Sequence, residues 1–514
     1  VNEGGQPVRK LRWKLKNRFW NWFIVQKFRF NEPRRVPKPR DSARKIRRIP
    51  LSQRYPSIPV SNILVANYVP ADESKFIGRV AVWIQARFYR HFPPKEPGLP
   101  SIDPDPIAAV DLAYGQRHRE YFRAPVIPKE YQGPIDLGSL AVAGPYSCYL
   151  QHVDGGGYEW DLRHLDCYEC HPGLRRLGVR VLFEVNQVAR CLKTVEIDCE
   201  LGLCKPGDPE WELAQQIALC AATTQVSLVR HFIGTHLALV AQFAIATRNT
   251  LPANHCVRRL LWPHVWGTQY SNELVTEISM MKGGDFEEIF SFSYDGLCKL
   301  LANSYDQYDI CVIDPLTDAD RRGILKGGFD LPALDNRLAH WDVMHAHACR
   351  YLCLYYGCDQ DLRDDAAIRA WVKELNRLVP NGVNRLLGDK LTIDGAAKLI
   401  AAYIYAGTVE HEVLGSALWD YQLWTHVQPV RVYKNGRREP IDVYQRLVNY
   451  NFSANVRRAP LLQDFSYLAG NDDAGAAAFS TFLAELTELQ LRLKKEPHDC
   501  WKIYPADLEV SVNG

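Results

Sequence analysis

The stretch His231-Phe-Ile-Gly-Thr-His236 sets two imidazoles five positions apart in an apolar run that continues through Gln242-Phe-Ala-Ile-Ala-Thr-Arg248 to Leu260-Leu-Trp-Pro-His264. Two neutral imidazoles can grip one metal ion. Their spacing is unusual for that task. At about 100° per residue, an i, i+5 pair on an α-helix points roughly 140° apart, whereas an i, i+4 pair nearly coincides. A π-type turn, with its wider i to i+5 hydrogen bond, restores a common face, and such turns concentrate at functional sites. The motif therefore predicts a locally distorted helix if it binds metal, and two ordinary core or surface histidines if it does not.

Two other groups could bind metal. His164-Leu-Asp-Cys167-Tyr-Glu-Cys170-His171, with Cys199 and Cys204 further on, has the elements of a zinc knuckle, although a single CxxC is weak grounds for one. His340, His345 and His347 share a probable helix but have no carboxylate at helical distance, so they read as residues of an amphipathic face.

The elements around these residues are those of a large globular protein. At 514 residues, 47% hydrophobic and 24% charged, the chain can bury a substantial core, and its net charge of +3 gives no overall steering toward nucleic acid. No apolar run of about 18 residues is evident, which argues against a transmembrane helix. The fourteen cysteines lack framework spacing and fit reduced thiols of a cytoplasmic protein. The charge is concentrated at the start: residues 1–50 hold sixteen Lys or Arg against three acids. Residues 8–30 interleave Leu11, Trp13, Trp20, Trp22 and Phe23 with Arg9, Lys10, Arg12, Lys14 and Lys16, as in a helix lying on an anionic membrane surface. The alternative is a basic arm packed across the enzyme body.

Arg34 to Pro59 reads as an extended connector, residues 75–91 as a helix, and residues 93–106 as a proline-rich loop. Strand-like pieces at Ser139-Leu-Ala-Val-Ala143 and Val179-Arg-Val-Leu-Phe183 suggest a small sheet beside the helices. The domains expected are a basic segment and linker over residues 1–50, a helical and loop extension over 51–136, and a catalytic domain over 137–514.

Over roughly residues 130 to 514 the chain resembles a lipoxygenase catalytic domain. Trp211-Glu-Leu-Ala214 leads into the His231 and His236 helix. Ala246-Thr-Arg-Asn-Thr-Leu-Pro252, His255-Cys-Val-Arg-Arg-Leu-Leu261, Pro263-His264 and Asp320-Arg-Arg-Gly323 follow in the family's order, then Trp341, Tyr351, Tyr355, Tyr356, Asp364, Trp371 and Glu374. The resemblance implies a mainly α fold, a lipoxygenase-like helical domain with a small β subdomain, and no N-terminal β-sandwich is evident.

It also implies a third histidine ligand from a later helix, and His411, within an Ala-rich helix from about Thr392 to Trp424, fits that place. The family often adds Asn or His four residues later, where this chain has Gly415; water, Glu410 or Glu412 are the candidates to fill the gap. The family's last ligand is the α-carboxylate of the final residue, and counting from Pro505 puts Gly514 in register. Three imidazoles, a carboxylate and water suit one non-haem iron, with manganese as the alternative ion. Ser227 and Gln225 are the polar candidates to orient the ligands. The implied reaction is removal of a hydrogen atom from the doubly allylic CH2 of a polyunsaturated fatty acid or ester, with molecular oxygen trapping the radical as a hydroperoxide. No acid or base is expected beyond the metal-bound hydroxide. The vacancy at Gly415 keeps open a hydroperoxide isomerase, and a catalytically silent membrane-binding homologue is the rival outside enzymes. Val275, aligned loosely with a position where the family has Ala or Gly, leaves stereochemistry unreadable.

Overall fold

A computed structural model describes residues 35–42, 44–73, 126–425, 427–436, 459–499 and 501–512, with Leu11, Leu15 and Val80. Apart from those three, the basic segment at 8–30, the helix expected over 75–91, the loop at 93–106 and Gly514 lie outside the described residues.

One long helix, α2 (Trp211–Thr250), organises the rest. It begins and ends as α-helix and has the wider π pattern over Gln225–Val240, where Ala241 N–H donates to His236 O five residues back. By length and apolarity α2 could cross a membrane, contrary to the sequence reading that no such run exists. The isolated polar residues Gln225, Ser227, Arg230, His231 and His236 break the apolar run to the eye without lowering its average enough. Its apolar window is 83% buried within the protein, and Ile233, Leu237, Leu239, Phe243 and Ala244 are fully enclosed. Each such Leu, Ile or Phe stabilises the fold by about 1.5–3 kcal/mol.

Around α2 lie α3 (Thr268–Ser279), α4 (Pro332–Cys353) and α5 (Ile393–Tyr405). Thr392 caps α5 by accepting from Gly395 N–H, and Pro332 opens α4 at a position where its missing N–H costs nothing. The α5 axis continues through a second π segment, Ala406–Glu410, an α turn, His411–Ser416, and a third π segment, Ala417–Tyr421. A later helix, α6 (Asp473–Lys494), packs against α4.

Two small sheets flank the helices. β1 (Arg48–Pro50) pairs antiparallel with β2 (Leu64–Ala66). β3 (Gln151–His152), β4 (Tyr158–Asp161), β5 (Arg180–Asn186), β6 (Cys191–Cys199) and β7 (Gly202–Cys204) form an antiparallel sheet in sequence order. The strand expected near Val179 is therefore present as β5. The other expected strand is not: Leu137–Ala143 is a helix, α1. Asp136 accepts from Ser139 N–H at 3.1 Å and Ser139 Oγ at 2.6 Å, so the Asp-Leu-Gly-Ser sequence is a helix start. At Gly138 a Cβ would lie 2.1 Å from Leu192 O, so only glycine lets α1 come this close to β6.

The connector from Arg35 onward is irregular up to β1, turns through a short helix at Leu51–Arg54, and is stitched to the helical body. Trp262 Nε1 donates to Pro37 O at 2.6 Å, Asn249 exchanges bonds with both backbone groups of Ile46, and Val36, Ile46 and Leu51 join the main core.

Candidate metal centre

The π pattern of α2 turns His231 and His236 onto one face, and the turn after Ala406–Glu410 brings His411 to meet them. The ring centroids of His231 and His236 are 5.1 Å apart, those of His231 and His411 4.6 Å, and those of His236 and His411 4.9 Å. One nitrogen from each ring lies within 4.8 Å of the others. His411 Nε2 is 3.1 Å from His236 Nε2. A shared proton could join these two, but it leaves out the third: His231 Nε2 is buried with no hydrogen-bond partner. Two nitrogens bound in adjacent positions about 2.1 Å from one ion stand about 3 Å apart, so a cation accounts for all three rings at once. The donor set, neutral nitrogens with no sulfur, fits a first-row divalent ion such as iron or manganese.

Burial keeps these imidazoles neutral. Desolvation pushes His236 down to about 4, and desolvation with the neighbouring histidines holds His231 and His411 well below the usual histidine range. Neutral imidazole is the form that donates a lone pair to metal.

Asn272 on α3 fixes which lone pair that is. Its Nδ2 donates to His236 O at 3.2 Å, which turns its Oδ1 to accept from His236 Nδ1 at 2.9 Å and leaves Nε2 to face the site. The sequence reading missed Asn272, which is thirty-six residues from His236 and belongs to no local motif. Of its two candidates, Gln225 Oε1 meets His164 Nε2 at 3.2 Å, and Ser227 Oγ is buried without a hydrogen-bond partner. Val275 lies partly buried on the same helix as Asn272.

Gly415 lies over His231, where a Cβ would stand 3.7 Å from Cε1, an ordinary contact. Glu410 does not fill the gap. It is fully buried and committed to two cations, with Oε1 2.8 Å from Arg230 Nε and Oε2 bonded to Arg337. Glu412 is not among the residues that gather at the site.

The tail runs buried toward this region. Leu508 O accepts from Leu461 N–H at 2.8 Å, Val510 O accepts from His264 Nδ1 at 2.5 Å, and Val512 is fully enclosed. A Cβ at Gly407 would stand 3.7 Å from Ser511 Cα and 3.9 Å from Val240 Cγ1, so the tail passes where the second π segment meets α2.

The histidines of the two other groups do not gather with one another. His171 Nε2 meets Glu287 O at 2.9 Å and His164 meets Gln225, so the knuckle residues do not converge. His340 and His347 are core residues rather than parts of an exposed face, His347 stacking on Phe482 at 4.1 Å.

The lipoxygenase family model matches residues 203–382, a stretch that includes His231, His236 and Asn272. Linoleate 9S-lipoxygenase 2 of Oryza sativa is 25% identical over 344 residues, 59% of this chain and 39% of the relative. Polyunsaturated fatty acid lipoxygenase ALOX12 of Mus musculus is 26% identical over 230 residues, 44% of this chain and 34% of the relative. The chain thus spans well under half the length of these curated relatives. Among solved structures, a calcium-dependent 11R-lipoxygenase superposes with a TM-score of 0.70 at 17% identity, covering 88% of this chain and 76% of that one. A LOX deletion variant in complex with arachidonate gives 0.73 at 14% identity, covering 90% and 80%. The fold is that of a lipoxygenase catalytic domain, and the stretch 203–382 at its centre matches the lipoxygenase family model.

Proposed function

We propose that the chain holds one non-haem iron at His231, His236 and His411 and is a dioxygenase that converts the 1,4-diene of a polyunsaturated fatty acid into a hydroperoxide. The observation that carries this reading is the convergence of three neutral imidazoles, His236 buried and His231 and His411 partly buried, with His231 Nε2 left without a hydrogen-bond partner. Bound iron supplies one-electron redox chemistry. The residues of the chain do the rest: the π turns aim the rings, Asn272 holds the His236 tautomer, and Phe232, whose ring centroid is 6.1 Å from that of His236, helps keep water away. The substrate class rests on the relatives named for linoleate and polyunsaturated fatty acids. In the overall change one C–H bond is broken, oxygen adds to the carbon chain, and the hydrogen ends on the distal oxygen, so the diene and one O2 become the hydroperoxide.

The terminal carboxylate of Gly514 as a further ligand belongs to the same proposal, supported by the buried course of residues 508–512 beside Gly407. So do a cytoplasmic location and delivery of substrate from an anionic membrane through residues 8–30, which rest on the sequence alone. Oxygen uptake with linoleate is the test. Uptake with formation of a conjugated diene supports the dioxygenase. Consumption of linoleate hydroperoxide without uptake favours the isomerase reading that Gly415 keeps open, and neither activity in iron-loaded protein points to a silent homologue.

A further inference from the structure

His345, Cys349 and Cys353 follow one another along α4 in steps of four, so they lie on one stripe of that helix. Asp342 on α4, three residues before His345, is not among the donors that gather there, but the first turn of α5 brings a carboxylate that is, Asp394. His345 Nε2 is 3.6 Å from Cys349 Sγ and 3.6 Å from Asp394 Oδ1. The three donor atoms lie within 4.8 Å of one another.

These separations are close to those of ligands around a tetrahedral ion. With metal bonds of about 2.3 Å to sulfur and about 2.0–2.1 Å to nitrogen and oxygen, N and S ligands stand about 3.6 Å apart and N and O ligands about 3.4 Å apart. The surroundings already hold the donors in place. The Trp341 ring stacks on His345 with planes 11° apart, and Lys398 takes Asp394 Oδ2 at 3.0 Å, leaving Oδ1 toward the histidine. The His345 side chain is 26% exposed and that of Asp394 63%, so an ion can enter from solvent and keep water, or draw in exposed Cys353, as a fourth ligand.

We propose that His345, Cys349 and Asp394 form a second metal site, separate from the histidine triad, that takes a zinc-class divalent cation and staples α4 to the start of α5. An imidazole, a thiolate and a single carboxylate select a borderline ion over magnesium or calcium, which require oxygen ligands. Burial, with Asp394 nearby, raises the Cys349 pKa, so the site holds a thiol that loses its proton when the ion binds. Such a staple acts on the metal centre without touching it. α5 leads directly to His411, and α4 carries Arg337, which grips Glu410 beside that ligand.

The test is titration of the iron-loaded full chain with Zn2+, read by calorimetry and by alkylation of Cys349 with iodoacetamide. We expect one zinc equivalent that is missing in Cys349→Ala and in His345→Ala, protection of Cys349 from alkylation by zinc, and affinity weakened at least tenfold in Asp394→Asn. Titration with Co2+ should give thiolate-to-cobalt charge-transfer absorption that Cys349→Ala lacks. Zinc taken up by the triad of iron-free molecules is unaffected by these substitutions and so is told apart. Asp394 is largely exposed, so Asp394→Asn keeps the test valid if a variant on α4 fails to fold. Equal zinc stoichiometry and affinity in all variants, or unchanged alkylation of Cys349 under zinc, would overturn the proposal.

Discussion

Arg230 Nε lies 2.8 Å from Glu410 Oε1, and each of these residues immediately precedes a histidine of the triad, His231 and His411. The two helices that carry the candidate ligands are therefore locked together one residue away from the ligands themselves. Arg337 from α4 bonds the other Glu410 oxygen, and Arg230 also reaches Val312 O at 2.9 Å. Burial alone would raise the Glu410 pKa, but Arg337 and Arg230 hold it below the ordinary carboxylate range.

Removing that charge should be costly. Glu410→Gln leaves buried Arg337 without its carboxylate and Arg230 with only Asp318, 3.6 Å away, a loss on the order of 3–5 kcal/mol. Thermal unfolding should shift down by several degrees and iron content should fall with it. A melting temperature and iron content equal to those of the parent would show that the pair does not hold the ligand helices.

Asn272 has a narrower role. Asn272→Ala removes the acceptor at His236 Nδ1 and should weaken metal binding about 10–100-fold while leaving the fold in place. Gln225→Ala, at a residue bonded to His164 instead, should leave affinity unchanged. Competition titration with a chelator measures both, and the reverse ranking would return the orienting role to the π helix.

The contrast between these two residues shows what the sequence could and could not convey. The five-residue step between His231 and His236 signalled the π distortion because ligand geometry and helix period conflict there. Asn272 and the Arg230–Glu410 pair carried no such signal, since their partners come from other helices and no spacing rule reaches across 36 or 180 residues. Glu410, legible only as an acid near His411, suggested a ligand until its two arginines were in view. Leu140-Ala-Val-Ala143 went the wrong way because a short apolar run fits a strand or a buried helix equally well, and the capping by Asp136 decided it. The acid that meets His345 was not legible because Asp394 arrives from a neighbouring helix.

Gly415 offers a gain-of-binding test. A Cβ there has room, 3.7 Å from His231 Cε1, and the position is helical, where glycine is a poor residue. Gly415→Asn should add a donor at the site and slow loss of iron to a chelator on the order of tenfold, the scale on which one supporting group tunes a metal site. Unchanged or faster iron loss would mean that this position does not look onto the metal.

Acid should destabilise the metal-free protein through its buried histidines. Desolvation lowers His236, His264 and His340 to about 4 and His347 to about 3. The unfolded chain takes up protons near pH 6.5 and the folded chain does not, so stability is full above about 6.5 and falls as the pH drops toward 4. One such group lowers it by about 2 kcal/mol at pH 5. His340→Gln, which keeps a donor for Asn336 O, should remove about that much from the difference between urea unfolding at pH 7 and pH 5. Stability that does not fall from pH 7 to pH 5 would contradict the buried neutral state.

The most direct test of the metal centre is the iron content of purified His411→Ala beside the parent chain, with circular dichroism to confirm the fold. The proposed centre predicts close to one iron per chain in the parent and nearly none in the folded variant, because His411 would be the ligand that the second helix brings to the site. Full iron in folded His411→Ala would contradict the three-histidine centre on which the proposed function stands.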